Sequence, residues 1–248
     1  MKKYFFIGLI ASMVLLPSCD EAADMIDDIY GEELTDSVVV SGLKEALVIG
    51  ADSAAAGLSV TDGYYADELV KIGLPSEADI IVENISYIPG GSELVEKVVL
   101  SINRAAEDAA SEVAPVFWDA ITDMSILDGF EILNGDNDAA TQYLKSSTYD
   151  ELFELYQPKI QTSLDKDIIG GITANDAWEN LTTPWNSLAN SVSGQLLNFE
   201  TVDTSLDEYL TNKALDGLFL KLAEEEEKIR TDPAEQVTDL LQKVFGAL

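Results

Sequence analysis

The chain has no histidine, one cysteine, and only 14 lysines and arginines against 46 aspartates and glutamates. Without histidine, Ser-His-Asp triads, imidazole acid–base catalysis and histidine metal ligands are excluded. A single cysteine excludes an intrachain disulfide and a cysteine-ligated zinc site, so the fold must stand on apolar packing. The shortage of bases leaves a formal charge of −32 at pH 7. A surface so negative repels nucleic-acid phosphates and anionic headgroups, and no basic patch offsets it, which argues against nucleic-acid binding. No cofactor is implied. Strand-like alternation is scarce, and no apolar run reaches bilayer length. Hydrophobic residues nevertheless make up 47% of the 248 positions, enough to bury a core, so this is not a disordered acidic tail.

The amino terminus has the layout of an export signal. Met1, Lys2 and Lys3 give a short positive region, and Tyr4 to Leu16 an apolar one of 13 residues. A bilayer span needs about 20, so the segment reads as a secretory leader. Leu16-Pro17-Ser18-Cys19 resembles a lipobox, with Pro17 departing from the usual small residue. An ordinary leader with a chance cysteine is the alternative reading. Cys19 is the only cysteine and sits at the lipidation position, which favours lipid attachment there. Two or three acyl chains give a stable anchor where one does not. Asp20 and Glu21 follow directly. Acidic residues at this position accompany inner-membrane retention in some Gram-negative groups and surface display in others.

Residues 1–18 are therefore expected as signal peptide, 19–40 as anchor and acidic spacer, and 41–248 as a single helical domain. Loss of Lys2 and Lys3 leaves 12 bases against 46 acids in the mature chain, a net of −34. Ser41 is a candidate cap for a helix carrying Leu43, Ala46, Leu47, Ala51, Ala54 and Leu58 on one stripe. Between Ser92 and Ala114, Val95, Val98, Val99, Ile102, Ala105, Ala106, Ala109 and Val113 recur at helical spacing. Glu93, Lys97, Arg104 and Asp108 fall opposite, and Pro115 marks a break. Further helices are expected at 116–124, 125–133, 138–145 and 150–164. Residues 165–205, with Gly170, Gly171, Pro184 and several Asn, read as short helices and loops in an insertion or small lobe.

Leu206 to Arg230 predicts one long helix, with Glu224–Lys228 and Glu226–Arg230 as solvated i,i+4 pairs of about 0.3–0.5 kcal/mol each. Asp232-Pro233-Ala234-Glu235 looks like a capping box starting a last helix, whose Val237, Leu240, Leu241, Val244 and Phe245 return to the core. The class is all-α: a multi-helix, bundle-like domain with a less regular segment around 165–205.

Several blocks then stand in a familiar order. They are Asn103-Arg104-Ala105-Ala106-Glu107, Gly135-Asp136, Ala139-Ala140-Thr141-Gln142-Tyr143, Lys213 to Phe219, Glu225-Glu226, Ile229-Arg230 and Val244-Phe245-Gly246. On these the chain resembles the bacterial family catalogued as domain of unknown function 4197, over roughly residues 41–248 and least over 165–205. The resemblance implies a helical, often exported protein and brings no reaction, ligand or catalytic residue.

Four features carry possible chemistry. Ser41 and Lys44 fit S-x-x-K, in which lysine activates a serine nucleophile; the companion S-D-N and K-T-G elements are missing, and helix capping explains Ser41 as well. Asn134, Asp136 and Asp138 place oxygen ligands in a Gly135-containing turn. Calcium wants six to eight oxygens, but the EF-hand spacing is absent, and a helix-to-helix turn accounts for the same residues. Asp36-Ser37-Val38 and Asp52-Ser53-Ala54 resemble the O-glycan acceptor triplet of some bacteria, and the second falls on an expected helix, leaving Ser37. Arg104 and Lys213 stand out because bases are scarce; for Arg104, an ion pair with Glu107 or Asp108 is the structural reading. Trp118, Trp178 and Trp185 read as packing residues rather than a recognition platform.

The expectation is a lipid-anchored cell-envelope protein, periplasmic or surface-exposed. It would meet the membrane through Cys19 and a protein or small-molecule partner through a helical groove or surface, without catalysis. The alternatives are a divalent-cation module built on the Asn134–Asp138 turn and a carboxylate-based hydrolase with two acids about 5–9.5 Å apart.

Overall fold

A computed structural model describes residues 34–127, 129–167 and 170–246. The expected leader, Cys19 and the spacer to residue 33 lie outside the described residues. Ten α-helices occupy the described residues: α1 (Asp36–Leu58), α2 (Asp79–Glu83), α3 (Gly91–Ala110), α4 (Ala114–Asp123), α5 (Gly129–Leu133), α6 (Ala139–Leu164), α7 (Ala174–Ala189), α8 (Val192–Leu196), α9 (Leu206–Thr231) and α10 (Asp239–Phe245). The class is all-α. No helix among the described residues is long and apolar enough to cross a membrane.

The long carboxy-terminal helix is the hub. Leu210, Ala214, Leu215, Leu218 and Leu222 bury a broad face of α9, and α1 and α6 pack along it. Two glycines let α1 approach closely. A Cβ on Gly50 would lie 2.7 Å from Leu222 Cδ1 of α9, and one on Gly42 2.6 Å from Val244 Cγ2 of α10. Helix α3 forms a second layer, packed on α6 and α7.

Several boundaries differ from the sequence reading, each for a local reason. Helix α1 begins at Asp36, so Ser41 is not its cap; its hydroxyl donates to the Ser37 carbonyl one turn back. The two helices expected at 138–145 and 150–164 are one, because residues 146–149 do not break it. Ser146 and Thr148 return their hydroxyls to the carbonyls of Tyr143 and Leu144, satisfied within the helix rather than opening a turn. Pro158 also sits inside it.

Residues 165–205 are more regular than expected. Thr173 and Asp176 form a reciprocal capping box, the Thr173 hydroxyl accepting from the Asp176 amide at 2.9 Å. It starts a 16-residue helix that packs on α3 rather than forming a separate lobe. The expected helix start at Asp232 is a 3₁₀ turn (Pro233–Glu235), and the last helix is capped instead by Thr238. Val237 is consequently exposed, while Leu241, Val244 and Phe245 are buried.

Candidate functional site

Residues 59–75, between α1 and the next helical turn, run without regular structure. A loop of this length inside a compact domain is uncommon and is more often functional than idle. Its backbone is held by side chains from α3 and α9. Asn103, fully buried, clamps Ile72 in both directions: its Oδ1 accepts the Ile72 amide at 2.9 Å and its Nδ2 donates to the Ile72 carbonyl at 2.7 Å. Glu107 Oε1 accepts the Tyr64 and Tyr65 amides at 3.2 and 3.1 Å. Arg104 bridges Glu107 at 2.6 Å and Asp62 at 2.7 Å, and Asp62 takes a positive φ of 70° to reach it. Burial pulls the Arg104 guanidinium down, but its bonds to Asp62 and Glu107 outweigh that and its pKa ends raised. The buried Tyr64 hydroxyl donates to the Ala214 carbonyl of α9. Its ring needs Gly217, where a Cβ would sit 2.8 Å from Tyr64 Cε1. Lys221 of α9 binds Asp67 at 2.8 Å, and the Tyr209 hydroxyl donates to the Gly73 carbonyl.

So braced, residues 69–74 form one wall of a groove of about 620 Å³; α9 and the first turns of α6 form the rest. Its size lies within the range of small-molecule sites. The lining mixes Leu69, Ile72 and Phe219 with Tyr209, Gln142 and three lysines, Lys71, Lys145 and Lys213. Lys145 pairs with Asp216 at 3.0 Å, and Lys71 lies 4.4 Å above the Tyr65 ring with Glu68 at 3.8 Å. Lys213 is exposed and has no hydrogen-bond or ion-pair partner among the described residues.

Below the groove, a buried ion pair sets the start of α6. Asp138, at the cap position, gives no side-chain cap bond. Glu226 of α9 does that work from a distance, accepting the Ala140 amide at 3.0 Å, the Thr141 amide at 2.7 Å and the Thr141 hydroxyl at 2.6 Å. Arg230 donates to Glu226 at 2.8 Å and to the Leu133 and Ile132 carbonyls at the end of α5. The anion thus meets a helix amino terminus and the cation a carboxy terminus, the favourable sense for both dipoles. The sequence reading placed this pair on a solvated face; it is buried instead, Glu226 being 1% exposed. Lys228 pairs with Glu225 rather than Glu224, which binds Lys221.

The other candidates fall elsewhere. Asn134, Asp136 and Asp138 occupy the α5–α6 turn that Glu226 and Arg230 brace. Asn134 donates to the Phe130 carbonyl and Asp138 accepts from Gln142. Among the described residues no group of three His, Cys, Asp or Glu is placed to hold a metal. Ser41 lies one turn from Lys44, whose ammonium donates to the Thr122 carbonyl at 2.7 Å. Ser37 is on α1 like Ser53, so the helical placement that counted against the second triplet holds for the first too. Trp178 and Trp185 are buried, whereas Trp118 is half-exposed with its indole on Asp52. Sequence reasoning missed Asn103, Glu107 and Glu226 as backbone hooks. The available signal was a polar residue on or beside an apolar stripe, which a folded protein buries only with partners.

Fold and groove together define an all-α protein with a mixed polar and apolar cleft walled by a side-chain-braced loop. The chain belongs to the family described as protein of unknown function (DUF4197), whose model matches residues 33–246. No curated protein and no solved structure matches it.

Proposed function

We propose that this is a lipid-anchored binding module of the bacterial envelope, tethered through Cys19, whose helical unit takes its ligand in the groove between residues 69–74, α6 and α9. The observation that carries the reading is the construction of that groove. Separate stretches of sequence supply its walls, and the buried side chains of Asn103 and Glu107 hold the loop wall by its backbone amides and a carbonyl. Three of the scarce lysines line it. The blocks around Asn103, Ala139 and Lys213, on which the family resemblance rests, are the ones that brace or line it. The export leader and the cysteine at its end support the tether. The lack of histidine and of any cysteine besides Cys19 narrows the catalytic chemistry open to the chain and favours binding over turnover.

Native mass spectrometry of the full lipidated chain, released from detergent after purification from its own host, tests the reading. The expected result is an added mass on the wild-type chain that disappears in Ala223→Trp, which fills the groove from α9. Equal added mass in both, or none in either, overturns it. For the tether, radiolabelled palmitate is expected to enter the wild-type chain and not Cys19→Ala; labelling of both variants would refute lipidation at Cys19.

A further inference from the structure

We infer that the occupant of the groove is a monoanionic amphiphile, an apolar body carrying one negatively charged head, with Lys213 as the residue that reads the head. The inference rests on the reading of the groove as a binding site and adds the chemistry of what it takes. Across a chain of charge −32 the average field opposes any anion, but at physiological salt that field is screened beyond about 8 Å. Within that distance the groove's own side chains decide. Lys71, Lys145 and Lys213 line it with two carboxylates, Asp138 and Asp216, and a third, Glu68, stands beside Lys71, so what decides is which of these charges is free. The charges are not equally available. Asp216 holds Lys145, and Asp138 holds the Gln142 amide. Lys71 is occupied by the Tyr65 ring and Glu68. Lys213 remains at the rim with its ammonium uncommitted among the described residues.

The apolar part of the ligand follows from the same lining. Leu69 is 71% exposed and Leu220 is 40% exposed, yet both border the groove. Leu69 belongs to the segment whose neighbours Val70 and Ile72 point inward and are buried, so its outward position is set by the braced loop rather than by a frayed end. Two exposed leucines beside a free ammonium offer an apolar body its cover and an anionic head its counter-charge. A dianion would leave one charge unmatched, and a neutral ligand would leave Lys213 without a role.

Photo-crosslinking on the full lipidated chain in phosphatidylcholine nanodiscs tests this, with three probes sharing one diazirine-bearing ten-carbon chain: the carboxylic acid, the alcohol and the phosphate monoester. The acid is expected to label peptides containing Leu69 and Leu220 more strongly than the other two. Lys213→Gln is expected to cut acid labelling about fivefold, the upper end for an exposed ion pair, and to leave alcohol labelling unchanged. Lys213 is exposed, so the variant folds as wild type does, which its circular dichroism checks. Equal labelling by acid and alcohol overturns the charge assignment while leaving the groove as a site. Stronger labelling by the phosphate overturns the single charge. Absence of groove labelling by all three overturns the binding site as well. Displacement of the acid by phosphatidylglycerol in the disc places the natural source in the bilayer, and displacement by soluble octanoate places it in solution; either supports a monoanion.

Discussion

Two glutamates on two long helices do the same job at different depths. Glu107 of α3 and Glu226 of α9 each capture two successive backbone amides from a distant segment, and each is balanced by an arginine on its own helix, at i−3 and i+4. Glu226 and Arg230 are sealed, with side chains 1% and 3% exposed; Arg104, at 18%, stays in touch with water. The sealed pair joins two helix ends and so belongs to the fold. The wetter pair holds a loop and so belongs to the groove. Depth decides which loss is global and which is local, because an uncompensated charge costs most where water cannot reach it.

The largest effect separates the two. Glu226→Ala strands the Arg230 guanidinium and orphans the first amides of α6, and about 3–5 kcal/mol of stability is expected to go, measured by urea unfolding. A loss below about 1 kcal/mol, the range of an exposed pair, would mean the pair is not sealed in solution. Glu107→Ala is expected to cost about 2 kcal/mol, the scale of bonds to a charged acceptor. Its distinctive readout is local. Hydrogen exchange at the Tyr64 and Tyr65 amides should accelerate while the Ala140 and Thr141 amides stay protected. Equal acceleration at both places would collapse the distinction. Arg104→Ala removes the partner that water still reaches, leaves Glu107 its two amide bonds, and is expected to cost about 1 kcal/mol.

The same contrast explains what could be read from sequence. The stripes of α1, α3 and α9 were legible because their apolar residues recur at helical spacing, and they are the faces the structure buries. The turn at Asn134–Asp138 was legible as a place but not for its cause, since the residues that order it, Glu226 and Arg230, lie on another helix. On a helical projection that pair is indistinguishable from a solvated one; only the packing of α5 and α6 against it makes it buried. Asn103 and Asn186 show the same gap. Each clamps a backbone amide and carbonyl far along the chain, Asn186 at Val202, and nothing local marks an asparagine for that use. The capping box at Thr173 and Asp176 was readable, and the glycines and Pro184 around it masked it. The groove itself was beyond reach, because its walls come from separate stretches of chain.

The smallest expected effect lies at the junction of loop and hub. Lys221 of α9 donates to Asp67, and this bond, with the Leu69 amide, holds the Asp67 carboxyl below its ordinary value. Burial pulls Lys221 down, but its bonds to Asp67 and Glu224 outweigh that and leave it raised. A carboxyl with a depressed folded pKa binds its proton more readily in the unfolded chain. Its contribution is therefore complete above the unfolded value of about 3.9 and is lost as pH falls through the lower folded value. The charge of −32 works the other way, since protonating other carboxylates relieves repulsion across the molecule. The two are separable by difference. Asp67→Asn should be slightly less stable than wild type at pH 7, with faster exchange at Leu69, and the gap should close below about pH 4. A gap that persists in acid would mean that Asp67 holds the loop through its shape and hydrogen bonds. The salt link to Lys221 would then be incidental to the groove wall.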